Sequence, residues 1–141
     1  FHIENAMILD LYAGSGSMGI EALSRGAKYV TFVETSEKCI GILEKNLLNF
    51  DTNFKIQKMS VNNYISNAFD KYNIVFYDPP FNFEDSQIVD EISTLESLLE
   101  DSGYIICHRH IKSNVEILSK NLEIYKEKIY GQSRILLIGK I

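Results

Sequence analysis

The sequence has no tryptophan and only two prolines and two cysteines among its 141 residues. Cys39 and Cys107 both lie in apolar-patterned segments, so we expect two reduced core thiols and a cytoplasmic protein. No apolar run approaches the ~18 residues that a membrane-spanning helix requires. No segment has the composition of a signal peptide. These scarcities argue against a disulfide framework and against a helical membrane protein.

Positive charge is also scarce, because 14 lysines and arginines face 19 aspartates and glutamates, for a net charge of −5. That balance argues against a free-standing nucleic-acid-binding module, whose affinity comes largely from contacts between cations and phosphates. The length fits one domain, residues 1–141, and 45% hydrophobic residues can form a core. The sequence begins at Phe1 and its first apolar run follows almost at once. We therefore expect a fragment without its natural N-terminal segment.

Both prolines are adjacent, in the segment Asp78-Pro79-Pro80-Phe81. An apolar run over residues 72–77 leads into them, and two prolines end a strand because each lacks an N–H and has a fixed φ angle. The first proline also keeps Asp78 out of helical geometry. The pattern predicts a buried strand that ends at a carboxylate on a stiff loop, with the Phe81 ring behind it.

The other patterns predict alternating strands and helices. Strands are predicted over residues 7–12, 29–33, 54–59, 73–77 and 104–108, and helices over residues 18–24, after Ser36, and over 61–69, 88–99 and 112–121. Residues 122–130 and 132–138 read as two strands around Gly131 with no helix between them, which predicts a hairpin. This order predicts an α/β sandwich with a mostly parallel sheet and one antiparallel strand.

A glycine-rich turn lies between the first predicted strand and helix. Gly14, Gly16 and Gly19 fit the pattern G-x-G-x-x-G, in which glycines permit tight turning and close approach of a ligand. Glu34 ends the second strand twenty residues after Gly14, where a carboxylate can accept both hydroxyl groups of a ribose. The alternative interpretation is a plain turn with a surface acid.

The acid before the turn bears on the kind of nucleoside cofactor. Asp10 precedes Gly14 by four residues and could face a cationic ammonium group. S-adenosylmethionine carries such a group and a ribose but no pyrophosphate. We therefore favour S-adenosylmethionine over NAD, which the glycine pattern alone would also permit.

The proline loop and the glycine turn are expected to share one pocket, because the carboxyl ends of neighbouring parallel strands form the ligand crevice. The chemistry that we expect is methyl transfer to a planar exocyclic amine. Asp78 and the carbonyl group of Pro79 can accept its two N–H groups, and Phe81 can stack on an extruded base. The alternative interpretation is a rigid loop with an incidental acid.

At residues 10–27 the sequence reads DLYAGSGSMGIEALSRGA, which resembles the RsmD-type bacterial small-subunit ribosomal RNA guanine-N(2)-methyltransferases. The resemblance continues through Phe32-Val33-Glu34, residues 45–47, residues 74–81 and residues 128–131, and it covers nearly the whole chain. The proline loop alone is shared with other amino-methyltransferases, including adenine-specific ones.

The resemblance implies a Rossmann-like class I methyltransferase fold with a seven-stranded, mostly parallel sheet and a C-terminal antiparallel hairpin. It implies methylation of a guanine 2-amino group in 16S ribosomal RNA or an assembling 30S particle. We expect a monomer without a metal. The expected catalytic residues are Asp78, Pro79, Pro80 and Phe81. The expected cofactor-binding residues are Asp10, Ala13, Gly14, Ser15, Gly16, Glu34, Ser60, Val61 and Asp78.

The sequence departs from the family pattern at three places. Ser60-Val61 replaces an acidic or amide residue followed by alanine beside the adenine, and the basic segment before the first strand is absent, so we expect weak RNA binding. His108-Arg109-His110 stands where the family tends to place a glutamate. This cluster could contact phosphates or could be a solvated strand end before a helix. A metal site is not expected there, because no third ligand accompanies the histidines.

Three rival functions remain from the sequence. The nearest is an adenine-N6 or other amino-methyltransferase that uses the same loop. Another is an NAD-dependent oxidoreductase, although no hydride-handling constellation is visible. The third is a non-catalytic module that binds a cofactor or RNA.

Overall fold

The computed structural model describes residues 2–141; Phe1, on which the expectation of a truncated N-terminus rests, lies outside them. Five strands, each of the first four followed by a helix, lead into a hairpin of two more. In chain order the elements are β1 (Met7–Leu11), α1 (Ser17–Ser24), β2 (Tyr29–Glu34), α2 (Glu37–Asn46), β3 (Phe54–Lys58), α3 (Val61–Asn67), β4 (Tyr72–Tyr77), α4 (Asp85–Leu95), β5 (Leu99–His110), β6 (Leu122–Tyr130) and β7 (Ser133–Lys140). A 3₁₀ turn, Glu96–Leu98, joins α4 to β5.

All seven strands form one sheet in the order β3-β2-β1-β4-β5-β7-β6. The first five are parallel, and β7 runs antiparallel to both β5 and β6. The predicted fold class, with its C-terminal antiparallel hairpin, is confirmed. From β1 the chain adds β2 and β3 on one side and then crosses to add β4 and β5 on the other side, so the order of the strands reverses at β1. In such sheets the crevice outside the carboxyl ends at this switch point is where ligands bind.

Helices cover both faces because the central strands are apolar on both sides. Alternate residues of β1 illustrate this: Ile8 belongs to the core that packs under α1 and α2, while Leu9 and Leu11 belong to the core that packs under α3 and α4. This two-sided burial is typical of parallel sheets. It leaves the strand ends as the place where polar side chains can gather.

The predicted helix over residues 112–121 is wrong, since β5 is followed by an irregular segment. Arg134 donates to the Ser113 carbonyl at 3.2 Å, and this is an oxygen that the first turn of a helix over these residues would need. The interpretation of His108-Arg109-His110 as a strand end before a helix is therefore wrong as well, because no helix follows β5 among the residues that the structure describes.

The predicted boundary between α4 and β5 is also displaced. The helix ends at Leu95 and the strand begins at Leu99, although the helix was predicted to reach residue 99 and the strand to begin at residue 104. Leu99 already pairs with Tyr72 of β4, and a Cβ on Gly103 would lie 2.8 Å from the Tyr72 carbonyl oxygen. This glycine therefore permits a close approach of two strands inside the sheet rather than ending a helix.

Cys107 lies in the core as predicted, whereas Cys39 is only half-buried on α2; both are free thiols. Burial raises the pKa of the Cys107 thiol to about 12, so it stays protonated and apolar. Within residues 2–141, no helix is long and apolar enough to cross a membrane.

Candidate functional site

A cavity of about 730 Å³ opens at the carboxyl ends of the strands. Its wall comes from the end of β1, the ends of β2 and β3, the loop after β4 and one face of α4. The lining residues are Tyr12, Val33, Glu34, Thr35, Met59, Ser60, Val61, Asn62, Asp78, Pro80, Phe83, Gln87, Asp90, Glu91 and Thr94. The volume and position suit a cofactor with a substrate group beside it.

The glycine turn is tightly shaped. Gly16 caps α1 with φ at +83°, and a Cβ there would lie 2.1 Å from the Leu43 side chain. Gly14 also has a positive φ, of +59°, but a Cβ there would meet nothing within 4 Å. Gly14 is therefore required by its backbone angle, and the space above it is open to a ligand.

Glu34 joins this turn to the end of β2. Its Oε1 accepts the Gly14 N–H at 2.8 Å, and its Oε2 accepts the N–H groups of Thr35 at 3.0 Å and Ser36 at 2.9 Å. The carboxylate is thus held in one orientation on the cavity wall. A carboxylate has about four acceptor sites, so capacity remains for a ligand hydroxyl group.

Asp10 lies beneath the turn and not on the cavity wall. It is 4% exposed, and its Oδ2 accepts the Gly19 N–H at 3.0 Å. Burial is the main cause that raises the pKa of Asp10 to about 8; the Gly19 N–H opposes the rise, and the negative charges of Asp78 and Glu34 add to it. The negative charges of Asp78 and Glu34 are therefore close enough to act on Asp10, and a cation bound beside these residues would oppose the rise in its pKa.

The proline loop begins where predicted, since β4 ends at Tyr77 and pairs with β1 through Leu11. Asp78 therefore emerges beside the glycine turn. Its side chain is 55% exposed, and its Oδ1 lies 3.1 Å from Nδ1 of His108. The Phe81 ring is 67% exposed and meets the His108 imidazole edge to face, with ring centroids 6.1 Å apart.

A buried arginine holds the loop from below. Arg109 is 2% exposed, and its guanidinium donates to the carbonyl oxygens of Pro80 at 3.2 Å and Phe83 at 2.9 Å. Its Nε has no partner within residues 2–141. Neither interpretation made from the sequence fits Arg109, because a buried side chain is neither a solvated strand end nor a phosphate contact.

The far wall carries an acid between two tyrosines. Oε1 of Glu91 accepts the hydroxyl groups of Tyr12 at 2.6 Å and Tyr77 at 2.9 Å. Burial, then the hydrogen bond to Glu91, raises the pKa of Tyr12, so this phenol remains a donor. Tyr12 holds a positive φ of 56°, a strained angle for a residue with a side chain, and its ring packs edge to face on Phe83.

The cavity brings together five of the residues expected from the sequence, namely Glu34, Ser60, Val61, Asp78 and Pro80. Ser60 also caps α3, because its Oγ accepts the Asn63 N–H at 3.0 Å. The others do not line the cavity: Asp10 lies in β1 beneath the turn, Ala13, Gly14, Ser15 and Gly16 form the turn, and Pro79 and Phe81 belong to the loop after β4.

Sequence reasoning missed the polar face of α4. Gln87, Asp90, Glu91 and Thr94 recur at helical spacing beside the apolar positions Ile88, Ile92 and Leu95. That stripe was readable as a polar face but carried no sign that it would meet a cavity. Arg109 gave no signal either, since an arginine at a strand end is ordinarily exposed.

The charge of the cavity restricts its ligand. Four lining residues are acids, Glu34, Asp78, Asp90 and Glu91, and none of the lining residues within the described part of the chain is a lysine or arginine. A pyrophosphate would be repelled by such a wall, whereas a cationic ligand would be attracted. No cluster of residues 2–141 has the composition of a metal site.

Solved structures with the same fold support the class of protein. The chain superposes on a conserved hypothetical protein of Streptococcus pyogenes with a TM-score of 0.89, at 29% identity over 99% of this chain and 89% of that one. It superposes on the Escherichia coli protein yhhF with a TM-score of 0.88, at 30% identity over 98% and 78%. The ribosomal protein L11 methylase of Lactobacillus delbrueckii shares the fold, with a TM-score of 0.79 at 22% identity. The fold is that of a Rossmann-like class I methyltransferase.

The chain belongs to the family described as conserved hypothetical protein 95, whose model matches residues 1–139. It is similar to the ribosomal RNA small subunit methyltransferase D of Buchnera aphidicola from Acyrthosiphon pisum, at 32% identity over 93% of this chain and 69% of that protein. The protein of the same name from Escherichia coli K12 is 31% identical over 92% and 66%. The predicted RsmD-type family is confirmed, and the chain spans about two thirds of the length of these relatives.

Proposed function

We propose that this chain transfers a methyl group from S-adenosylmethionine to the exocyclic 2-amino group of a guanine in small-subunit ribosomal RNA. The observation that carries the proposal is the position of Asp78, on a proline-stiffened loop that opens into an acid-lined cavity beside the glycine turn. Relatives named ribosomal RNA small subunit methyltransferase D support the choice of RNA.

The residues present fit the cofactor. S-adenosylmethionine supplies, when bound, an electrophilic methyl group on a positively charged sulfonium. Glu34 is held in one orientation on the cavity wall and would bind the ribose, and Ser60 and Val61 line the same cavity and would contact the adenine. The carboxylates of Asp78, Asp90 and Glu91 favour a ligand with positive charge, and this same feature disfavours NAD.

Asp78 and Pro79 can hold the target amine. Oδ2 of Asp78 and the carbonyl oxygen of Pro79 make no hydrogen bond within residues 2–141, whereas the Pro80 carbonyl is already occupied by Arg109 and by the Phe83 N–H. Acceptance of both amine N–H groups favours a pyramidal nitrogen whose lone pair can attack the methyl carbon. The bound cofactor would supply its methyl group to that nitrogen and leave as S-adenosylhomocysteine, and Asp78 or water would take the surplus amine proton.

Phe81 is the candidate platform for the base. Its ring is exposed and contacts His108, which in turn contacts Asp78 on the cavity wall. A base extruded from its stack needs a partner for its face, and stacking on an aromatic ring contributes about 1–3 kcal/mol.

The decisive experiment supplies labelled S-adenosylmethionine and small-subunit RNA, or particles without modifications, to the full-length protein and maps the methyl group. We expect label on the 2-amino group of one guanine. Label on the N6 nitrogen of an adenine would instead support the nearest rival function, that of an adenine-N6 methyltransferase. Binding of the cofactor without transfer to any RNA would support a non-catalytic module instead.

A further inference from the structure

His108 lies between the proposed acceptor carboxylate and a serine of the hairpin. Its Nδ1 is 3.1 Å from Oδ1 of Asp78, and its Nε2 is 2.9 Å from Oγ of Ser133. Each imidazole nitrogen therefore has one partner, and the two partners come from different elements, the loop after β4 and the first residue of β7. A side chain held at both ends has a fixed orientation.

The hydrogen-bonding roles follow from the chemistry of the partners. A carboxylate only accepts, so Nδ1 must carry the proton that is shared with Asp78. A neutral imidazole then presents a lone pair on Nε2, to which the Ser133 hydroxyl group can donate. The chain of bonds thus runs from Ser133 through His108 to Asp78, and it fixes one tautomer of the ring.

The same connectivity of serine, histidine and aspartate occurs in hydrolytic triads, in which the serine attacks the substrate. Here the opposite end of the chain faces the cavity, because Asp78 lines it and Ser133 does not. The arrangement is therefore built to orient the carboxylate and not to activate the hydroxyl group.

We infer that His108 is a positioning residue for methyl transfer, which holds Oδ1 of Asp78 so that Oδ2 faces the amine of the acceptor base. The inference rests on the proposed function. Asp78 is half-exposed and makes no other hydrogen bond from its side chain within residues 2–141. Without His108 its side chain would sample several rotamers, and only a fraction would present an oxygen to the amine.

The position of the Phe81 ring adds a second consequence. The ring packs edge to face against the imidazole, so the orientation of His108 also bears on the platform proposed for the base. His108 thereby contacts both Asp78, the proposed acceptor of the amine N–H, and Phe81, the ring on which the base is proposed to stack. Its loss should impair the placement of the base and not the binding of the cofactor.

The test uses three variants in the full chain. His108→Ala removes both bonds, and His108→Asn keeps a donor at the place of Nδ1. His110→Asn is the matched control, because His110 lies two residues further on the same strand and its imidazole contacts Gln132 at 3.3 Å and not Asp78. Single-turnover methyl transfer to RNA, the KM for RNA and the affinity for S-adenosylhomocysteine are measured for each.

We expect His108→Ala to lower the single-turnover rate roughly 10- to 100-fold, the range that corresponds to loss of a hydrogen bond to a charged group. The affinity for S-adenosylhomocysteine should stay within about twofold of the parent. His108→Asn should recover a large part of the rate, and His110→Asn should behave as the parent. A parent-like rate in His108→Ala, or no rescue by asparagine, would overturn the inference.

A spectroscopic measurement decides the hydrogen bond without any activity. Nitrogen-15 chemical shifts of the imidazole distinguish the two neutral tautomers. We expect the parent to show the proton on Nδ1 of His108, and Asp78→Ala to shift the ring towards the tautomer with the proton on Nε2. A ring protonated on Nε2 in the parent would refute this inference alone, whereas an absence of methyl transfer in the parent would refute the proposed function.

Discussion

The guanidinium of Arg109 donates from the buried end of β5 to the carbonyl oxygen of Pro80, 3.2 Å away, and so fixes the loop that carries Asp78. Removal of the guanidinium leaves the Pro80 and Phe83 carbonyl groups without these donors. Hydrogen bonds from charged groups are worth about 1.5–3 kcal/mol each, and relief of the buried charge offsets part of that.

We therefore predict that Arg109→Met lowers the free energy of unfolding by about 2–4 kcal/mol and slows methyl transfer by loosening the loop. Arg109→Lys should rescue little, because one ammonium group lacks the fork that reaches two carbonyl groups. Urea unfolding and single-turnover rates measure both effects. The control is Arg25→Ala, which removes only an exposed pair with Glu21. Equal stabilities of Arg109→Met and the parent would contradict the prediction.

Asp10 should make stability depend on pH. Burial raises its pKa to about 8 in the folded chain, whereas an aspartate in an unfolded chain titrates near about 3.9. Between these values the folded state holds a proton that the unfolded state has released. The contribution to stability is therefore fully present below about pH 4 and is lost as the pH rises to about 8.

We predict that the difference in unfolding free energy between the parent and Asp10→Asn changes with pH, by at most about 1.4 kcal/mol per unit, to the disadvantage of the parent at higher pH. Urea titrations from pH 5 to pH 8 measure it. Asp51→Asn, at an exposed position, serves as the control and should show a flat difference. A flat difference for Asp10→Asn would mean that Asp10 is ionised throughout.

Glu34→Ala should weaken the binding of S-adenosylmethionine by about 1–3 kcal/mol, the scale of charged hydrogen bonds. The structure adds a second effect, because the same carboxylate accepts backbone N–H groups of Gly14 and Ser36. Melting temperatures in the absence of cofactor separate the two. Glu34→Gln retains an acceptor oxygen and should lose less affinity than Glu34→Ala. An unchanged dissociation constant in Glu34→Ala, measured by calorimetry, would remove Glu34 from the cofactor site.

Phe81→Ala should raise the KM for RNA and lower the rate without changing the affinity for the cofactor. Loss of a stacked aromatic ring weakens the binding free energy of the base by about 1–3 kcal/mol. Phe69 provides a matched control, because it is another exposed phenylalanine, at 97%, and it lies outside the acid-lined cavity. Steady-state kinetics on RNA compare the two variants. Normal turnover in Phe81→Ala would show that the base is held in another way.

The sequence predicted the sheet, the turn and the loop because each rests on local chemistry. Gly14 and Gly16 have the positive φ angles that glycine adopts without strain, and Pro79-Pro80 cannot continue a strand because neither residue has an N–H. The helix predicted over residues 112–121 was wrong, and the contact that competes with it comes from Arg134, which is distant in sequence and donates to the Ser113 carbonyl.

The contacts around Asp78 were beyond sequence reasoning for the same reason. Arg109 lies 29 residues from Pro80 along the chain, and Ser133 lies 25 from His108. Local pattern carries no information on which side chains the register of β5 with β7 brings under the loop. The proposed roles of these residues therefore come from the three-dimensional arrangement alone.

Asp78 itself gives the sharpest prediction. If its carboxylate accepts an N–H of the target amine, Asp78→Ala should abolish methyl transfer. The fold and most of the cofactor affinity should remain, because the side chain is half-exposed and bonds only to His108 within residues 2–141. Asp78→Asn should retain measurable activity, since an amide oxygen still accepts one N–H, although a neutral acceptor is about half as strong as a charged one.

A purely structural role for Asp78 predicts a different outcome. If the carboxylate only fixed the turn at Pro79 and Pro80, both variants would melt at lower temperature and lose cofactor affinity together. Arg109 already holds that loop through Pro80, so removal of Asp78 should leave the melting temperature nearly unchanged. Melting temperature, affinity for S-adenosylhomocysteine and single-turnover rate, measured on both variants, distinguish the two roles. Full activity in Asp78→Ala would refute the mechanism, because it would show that methyl transfer does not need this carboxylate to accept an N–H of the amine.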